Sequence, residues 1–137
     1  LAGDGPLSDE VRAAQCESLR WVGRLGREDT SALLQQADVM CLPSRSEGFS
    51  TTLLEASACG CPSVVTDVGG ARELIPDERF GTILPDSSAA ALSQALLAVM
   101  EDRSRLQLQS ENTAHRCADY SREALASRCT EIFEGLH

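Results

Sequence analysis

The feature that most constrains the fold is an alternation of short apolar segments with stretches of helical spacing. Apolar segments at 39–42, 63–66 and 82–84 are bounded by proline or glycine and are separated by stretches that favour helices. Continuous apolar strands separated by helices are typical of a parallel sheet covered on both faces. The sequence therefore predicts one doubly wound α/β domain over residues 1–137, finished by three C-terminal helices.

Further elements are predicted along the rest of the chain. Leu1–Ala2 is predicted to be the tail of a strand, Ser8 the cap of a helix, and residues 19–22 a short strand. Because only the tail of the first strand is present, we expect a sheet that is incomplete at its N-terminus. Further helices are predicted from Thr30 or Ser31 through Ala37, over 51–59, 71–75 and 104–118, and along the apolar faces Leu92–Leu96–Val99–Met100 and Leu125–Cys129–Ile132–Phe133–Leu136.

The charge pattern excludes several kinds of partner and chemistry. All 12 basic residues are arginine, and the formal net charge is −9. Without lysine there is no P-loop lysine for phosphates and no Schiff-base lysine. Affinity for nucleic acids and for anionic membranes comes mainly from clustered basic residues. We therefore expect no nucleic-acid partner and no direct membrane contact by this domain.

The six cysteines favour a reducing compartment. None of them forms a Cys-x-x-Cys pair, and Cys41 and Cys129 fall within apolar patterns, as small core residues do. Cys59 and Cys61, taken together with His115 and Cys117, do not have the spacing of a zinc site. We therefore expect a cytoplasmic protein without a metal ion.

Ligands of doubly wound sheets bind at the carboxyl ends of the strands. The loops to consider are therefore 23–29, 44–49 and 67–70, and the second is the richest in polar residues. The amides of Ser50 to Leu53 at the following helix start are predicted to be free and to form an anion site, strengthened by the helix dipole. Gly48 lets a ligand approach the backbone closely.

Two carboxylates stand beside this anion site. Glu47 precedes the amides and Glu55 lies about one turn inside the helix, so the pair is able to flank one bound anion. Amides on phosphate and carboxylates on hydroxyl groups suit a sugar–diphosphate–ribose ligand. Two simpler interpretations stay open at this point: Glu55 completes a capping box with Thr52, and Glu47 is a solvated loop residue.

The segment 43–62 resembles the retaining glycosyltransferases of family 4, which have the GT-B fold. It contains Pro-Ser-x-x-Glu-Gly-Phe, the spacing Glu-x7-Glu, then Leu-Glu-Ala and Gly-x-Pro. Segments 3–6, 21–23, 37–39, 65–73 and 81–85 also match the family in order and spacing, so the resemblance covers nearly the whole chain. It implies a Rossmann-like C-terminal domain. Ser50 replaces a common glycine, but this change removes no backbone amide.

The resemblance also implies roles for individual residues. It implies that Glu47 is the catalytic residue, in contact with the donor sugar near the reacting carbon, and that Glu55 contacts the ribose hydroxyls. The other implied donor-binding residues lie in the loops around the diphosphate and the base: Gly48, Phe49, Ser50, Thr51, Arg24 and Leu25.

The resemblance further implies what the full enzyme does. It would transfer a sugar from a UDP or GDP sugar to an acceptor hydroxyl with retention, in bacterial polysaccharide, glycolipid or glycoconjugate synthesis, without a metal or other cofactor. The family's acceptor-binding N-terminal domain and a first strand–helix unit, which carries an arginine and a lysine, are expected to be missing here. We therefore expect this chain alone to be inactive, and the full enzyme to be cytoplasmic or peripheral at the inner membrane face.

Two other classes of protein stay open. The segment Gly3-Asp4-Gly5-Pro6-Leu7-Ser8 is close to the Gly-x-Gly-x-x-Gly motif of NAD-type dinucleotide-binding domains, although Ser8 replaces the third glycine. A non-catalytic nucleotide-binding module of Rossmann-like fold is the second alternative. Stabilisation by a nucleoside diphosphate, by NAD or by neither distinguishes the three.

Overall fold

The computed structural model describes residues 1–136. The chain falls into two compact units, one comprising Leu1–Leu33 and the other beginning at Leu34. The expectation of one domain over residues 1–137 stays a prediction.

The first unit contains an extended pair of segments rather than the predicted strand at 19–22. The Val22 amide donates to the Leu1 carbonyl at 2.9 Å, and the Gly3 amide donates to the Gly23 carbonyl at 2.7 Å. Neither segment forms a regular strand, and only Cys16 and Leu19 form an isolated bridge. The predicted strand is therefore wrong, because this pairing is too short to make a ladder.

The first two helices of the chain begin at other residues than predicted. Helix α1 spans Ser8–Ala13 with Leu7 at its N-cap, so Ser8 is helical and does not cap it. Helix α2 spans Arg27–Gln36, so it begins four or five residues earlier than a cap at Thr30 or Ser31 predicts. The acidic residues of its first turn suit the positive end of the helix dipole, which favours this early start. The Thr30 hydroxyl donates to a backbone carbonyl at 2.9 Å instead of capping the helix.

The second unit contains a parallel sheet of three strands in the order β1–β2–β3. The strands are β1 Met40–Leu42, β2 Ser63–Thr66 and β3 Thr82–Leu84. The helices are α3 Thr51–Ala58, α4 Ala71–Leu74, α5 Ala89–Glu101, α6 Arg103–Cys117 and α7 Arg122–Glu134, with a 3-10 turn at Ala118–Tyr120. These elements confirm the predicted strands and helices of this unit to within one or two residues.

Helices pack on both faces of the sheet. Successive residues of a strand point to opposite faces. On β2, Val65 packs with Leu53 of α3 and Leu74 of α4, whereas Val64 packs with Val99 of α5. All five residues are almost completely buried. The predicted doubly wound arrangement is therefore confirmed, and it places the 43–50 loop at the carboxyl end of β1.

Helix α7 forms as predicted, but it has no buried residue. Its residues Ile132 and Phe133 are 64% and 69% exposed. Within residues 1–136, no helix has the length and apolar character needed to cross a bilayer.

Candidate functional site

The candidate site lies where β1 and β2 end. The 43–50 loop leaves β1 and enters α3, and the 67–70 turn leaves β2 and enters α4. Because β1 and β2 are parallel neighbours, both connections lie at the same edge of the sheet. A small cavity at this edge is lined by Glu47, Ser50 and Thr66, among others. The location agrees with the rule that ligands bind at the carboxyl ends of parallel strands.

The start of α3 leaves backbone amides without acceptors. Ser50 is the N-cap, and its hydroxyl oxygen accepts a hydrogen bond from the Leu53 amide at 3.3 Å. The prediction of a free Leu53 amide is therefore wrong. Among residues 1–136, nothing accepts a hydrogen bond from the amides of Phe49, Ser50 and Thr51. Such amides at a helix start favour an anion.

Glu55 does not belong to a capping box. With Ser50 at the N-cap, the third helical position is Leu53, and Glu55 lies two residues further along. Its side chain is half-buried, and within the described part of the chain no group donates a hydrogen bond to the carboxylate. The capping interpretation of Glu55 is therefore wrong, and both carboxylate oxygens are available to a ligand.

Glu47 is held rather than freely solvated. The Ser44 hydroxyl donates a hydrogen bond of 2.7 Å to Glu47 Oε1, and the Glu47 side chain is half-buried. Ser44 is in turn held by β2, because the Thr66 hydroxyl donates to the Ser44 carbonyl oxygen at 2.5 Å. The interpretation of Glu47 as a solvated loop residue is therefore wrong.

The 67–70 turn supports the 43–50 loop through two glycines. The Gly70 amide donates to the Gly48 carbonyl oxygen at 2.9 Å. Gly69 has φ of +55°, and a β-carbon there would overlap the same carbonyl oxygen. A β-carbon on Gly70 would lie 2.5 Å from the Phe49 ring. Sequence reasoning identified this turn as a candidate ligand loop but not as a support for its neighbour.

Phe49 is supported from the side by Tyr120. Their ring centroids are 5.5 Å apart at an interplanar angle of 34°. The Tyr120 hydroxyl donates to the Glu73 carbonyl oxygen at 3.2 Å, and Arg116 Nε donates to the same oxygen at 2.5 Å. The segment after α6 therefore braces the loop that carries the free amides. No sequence pattern indicated Tyr120.

The cations near the loop are unequally available. Arg72 forms an ion pair of 2.8 Å with Asp67, and its hydrogen bond lowers the pKa of that carboxyl. Arg45 is exposed and makes no ion pair with any of residues 1–136. Arg45 is thus the loop cation that is free to meet a phosphate charge.

The predicted base-binding residues lie in the first unit. Arg24 is exposed and lines an open hollow together with Gly3, Asp4 and Gly5. Leu25 is half-buried. Their roles stay predictions.

The described residues contain no group of three or more His, Cys, Asp or Glu side chains that is able to hold a metal ion. Cys16, Cys41, Cys61, Cys117 and Cys129 are free thiols. Cys61 is 2% exposed, and its burial raises the pKa of the thiol to about 11.

The chain is similar to known sugar-transferring enzymes over most of its length. Residues 1–124 match the family model described as glycosyl transferases group 1. The chain is 37% identical over 140 residues to the lipopolysaccharide core biosynthesis mannosyltransferase LpsB of Rhizobium meliloti, and the match covers 99% of this chain and 39% of LpsB. The chain spans about a third of the length of the curated relatives it matches.

Solved structures share its fold. Sucrose-phosphate synthase of Thermosynechococcus elongatus matches with a TM-score of 0.79 and 27% identity, over 95% of this chain and 33% of that one. HepE of Anabaena, solved with UDP-glucose, matches with a TM-score of 0.77 and 22% identity, over 98% of this chain and 39% of HepE. These matches show that the chain has the Rossmann-like fold found in GT-B proteins. The family match over residues 1–124, together with this fold, means that the chain belongs to the group 1 glycosyl transferases.

Proposed function

We propose that this chain binds the nucleotide-diphosphate sugar of a retaining glycosyltransferase. The full enzyme would move the sugar to an acceptor hydroxyl with retention at the anomeric carbon. The observation that carries the proposal is the run of unpaired amides at Phe49, Ser50 and Thr51 beside the held carboxylate of Glu47. Amides suit a phosphate, and a carboxylate suits sugar hydroxyls, because it accepts hydrogen bonds only.

Each polar group has a distinct part in this proposal. The amides at 49–51 hold the distal phosphate, and Gly48 lets it come close to the backbone. Glu47 accepts hydrogen bonds from donor-sugar hydroxyls near the reacting carbon and acts as the catalytic residue. Glu55 accepts hydrogen bonds from the ribose hydroxyls. Arg24 and Leu25 border the base.

The diphosphate charge is met by the protein alone in this proposal, without a metal ion or other cofactor. The amides and the dipole of α3 meet part of it, and the exposed Arg45 meets another part. The chain has no lysine and a net charge of −9, which disfavours a dianion at long range. We therefore expect the donor to bind this chain weakly.

The donor is proposed to be of UDP or GDP type. HepE, which shares the fold, was solved with UDP-glucose, and the relative LpsB is named for mannosyl transfer in lipopolysaccharide core synthesis. The name of LpsB favours a role in bacterial polysaccharide or glycolipid synthesis. Because the chain spans about a third of its relatives, we propose that the acceptor is bound by sequence outside these residues and that this chain alone transfers no sugar.

A cytoplasmic location is also proposed, since exposed free thiols such as those of Cys16 and Cys129 are compatible with a reducing compartment. Nothing in the described site favours nucleic acid or direct membrane contact as a partner.

Ligand-dependent thermal stabilisation tests this proposal. The purified chain is heated with UDP, GDP or NAD, each at several concentrations up to the millimolar range. We expect UDP or GDP to raise the melting temperature, because a ligand that binds only the folded state stabilises it by mass action. Stabilisation by NAD instead would support a dinucleotide-binding domain. No effect of any nucleotide would contradict donor binding and leave a non-catalytic module.

A further inference from the structure

We propose that Ser44 is a positioning residue that orients Glu47 toward the donor sugar, and that Thr66 of β2 holds Ser44 in place. The inference rests on the proposed function, which assigns Glu47 to the sugar hydroxyls. It adds two residues that touch no ligand and act through the Glu47 carboxylate.

The two oxygens of the Glu47 carboxylate have different surroundings. Ser44 Oγ donates a hydrogen bond of 2.7 Å to Oε1, while no group of residues 1–136 donates to Oε2. A carboxylate has acceptor sites on both oxygens. With Oε1 fixed by the protein, the direction of Oε2 is also fixed, and Oε2 is left for a sugar hydroxyl.

A hydrogen bond from strand β2 attaches Ser44 to the sheet. Thr66 is 4% exposed and is the last residue of the central strand β2. Its hydroxyl donates to the Ser44 carbonyl oxygen at 2.5 Å, across 22 residues of sequence. Groups held by rigid elements are positioned more accurately than groups held by loops alone. Ser44 therefore takes its place from the sheet, although it lies in a loop.

The Glu47 carboxylate and the Thr66 hydroxyl belong to the same part of the structure. Glu47 and Thr66 line the same small cavity at the carboxyl ends of β1 and β2. An exposed glutamate has three rotatable side-chain bonds, and binding would have to freeze them. The hydrogen bond from Ser44 restricts them before the donor arrives, which reduces the ordering cost of binding.

The test separates the sugar from the nucleotide. Calorimetry measures the dissociation constants of two pairs, UDP with UDP-glucose and GDP with GDP-mannose, and the tighter-binding pair is used throughout. The readout is the ratio of the diphosphate constant to the nucleotide-sugar constant. A merely structural loss at the loop weakens both ligands and leaves this ratio unchanged. A loss of Glu47 orientation weakens only the nucleotide sugar.

We expect Ser44→Ala to reduce the ratio about 3- to 10-fold, the effect of one lost hydrogen bond. Ser44→Thr keeps a hydroxyl and should restore most of the ratio. Ser46→Ala makes the same change at an exposed position of the same loop, where the side chain has no hydrogen bond to residues 1–136. This control should leave the ratio within twofold of the wild-type value.

Glu47→Gln distinguishes failure of the inference from failure of the proposed function. If Glu47→Gln reduces the ratio and Ser44→Ala does not, Ser44 has no positioning role and the inference is overturned. If neither variant changes the ratio, or if neither pair binds at all, Glu47 has no contact with the sugar. The proposed function then fails, and the inference fails with it.

Variants of Thr66 provide an independent test in case the Ser44→Ala protein does not fold. Thr66→Ser keeps the hydroxyl and should keep the ratio, whereas Thr66→Val removes it and should reduce the ratio in the same direction as Ser44→Ala. Circular dichroism shows whether each variant is folded. An unchanged ratio in folded Thr66→Val would contradict the role of Thr66.

Discussion

A β-carbon on Gly69 would overlap the carbonyl oxygen of Gly48, and it would lie 2.6 Å from the carbonyl oxygen of Glu47. Two connections from neighbouring strands therefore meet backbone to backbone at the candidate site. The Gly70 amide fixes the contact through its hydrogen bond of 2.9 Å to the Gly48 carbonyl. The shape of the loop that carries Glu47 thus depends on a turn 20 residues further along the chain.

Gly69→Ala should destabilise the fold by about 2–5 kcal/mol. Part of the loss comes from a left-handed φ of +55°, which costs a residue with a β-carbon about 1–2 kcal/mol, and part from overpacking, about 1–3 kcal/mol. Urea unfolding measures the change. Gly48→Ala is the matched control, because a β-carbon there meets nothing within 4 Å. Equal stability of the two variants would show that the turn does not pack on the loop.

Ser50→Ala should cost about 0.5–2 kcal/mol of stability, the usual range for a lost N-cap. The Ser50 hydroxyl accepts the Leu53 amide, and alanine leaves that amide without a partner. Thermal or urea unfolding checks this value. Thr52→Ala is the comparison: if the capping box began at Thr52, it would be the more harmful change, but we expect it to be the milder one.

Glu55→Ala should weaken the binding of the nucleoside diphosphate by about 1–3 kcal/mol, the range for a lost hydrogen bond to a charged group. The Glu55→Ala protein should be about as stable as the wild type, because no group of residues 1–136 donates a hydrogen bond to the Glu55 carboxylate. Calorimetry with UDP or GDP measures the affinity.

The control for Glu55 is Glu101→Ala, which removes the same charge from the exposed end of α5. We expect that variant to bind the diphosphate as the wild type does. If both variants lose affinity equally, or if neither does, Glu55 makes no specific contact with the ribose.

The thiols should differ strongly in their reactivity with iodoacetamide. The reactive species is the thiolate. Burial raises the pKa of Cys61 to about 11, so at pH 8 about one molecule in a thousand carries that thiolate. Cys16 is exposed, and its contact with the Ser18 hydroxyl lowers the pKa of its thiol. Mass spectrometry at pH 8 should find Cys16 modified first and Cys61 last.

The pH dependence of the labelling rate is a second test of the predicted difference between Cys16 and Cys61. Labelling of Cys61 should rise as the pH approaches 11, whereas labelling of Cys16 should rise at lower pH, because the hydrogen bond with Ser18 lowers the pKa of that thiol. Rapid modification of Cys61 at pH 8 in folded protein would contradict its burial in the apolar core.

The sheet and the helices of the second unit were predictable because their residues are locally consistent. The apolar runs that became β1 and β2 are bounded by Pro43 and Pro62, and Gly60 ends the helix between them with a φ of +67°. The start of α2 was missed, because Thr30 and Ser31 are good caps in isolation, while the acidic first turn after Gly26 was the better indication. Local sequence patterns therefore predict the presence of a helix or strand more reliably than they predict its first and last residues.

The supports of the candidate site were not predictable from local patterns. The motif placed Glu47, the amides and Glu55 in one loop and one helix, because all of them are close in sequence. The contacts of Thr66 with Ser44 and of Tyr120 with Phe49 join residues 22 and 71 positions apart. A single sequence carries no periodicity that reports such pairs, so only the packed structure reveals them.

We expect the amides at the start of α3 to hold the diphosphate of the donor. Nuclear magnetic resonance of the 15N-labelled chain, titrated with UDP or GDP, observes each of these amides separately. We predict that the largest amide shifts occur at Phe49, Ser50 and Thr51, and that Glu55→Ala reduces their size at a given nucleotide concentration. Saturable shifts confined to residues 3–8, or no saturable shift at 49–51, would contradict the claim.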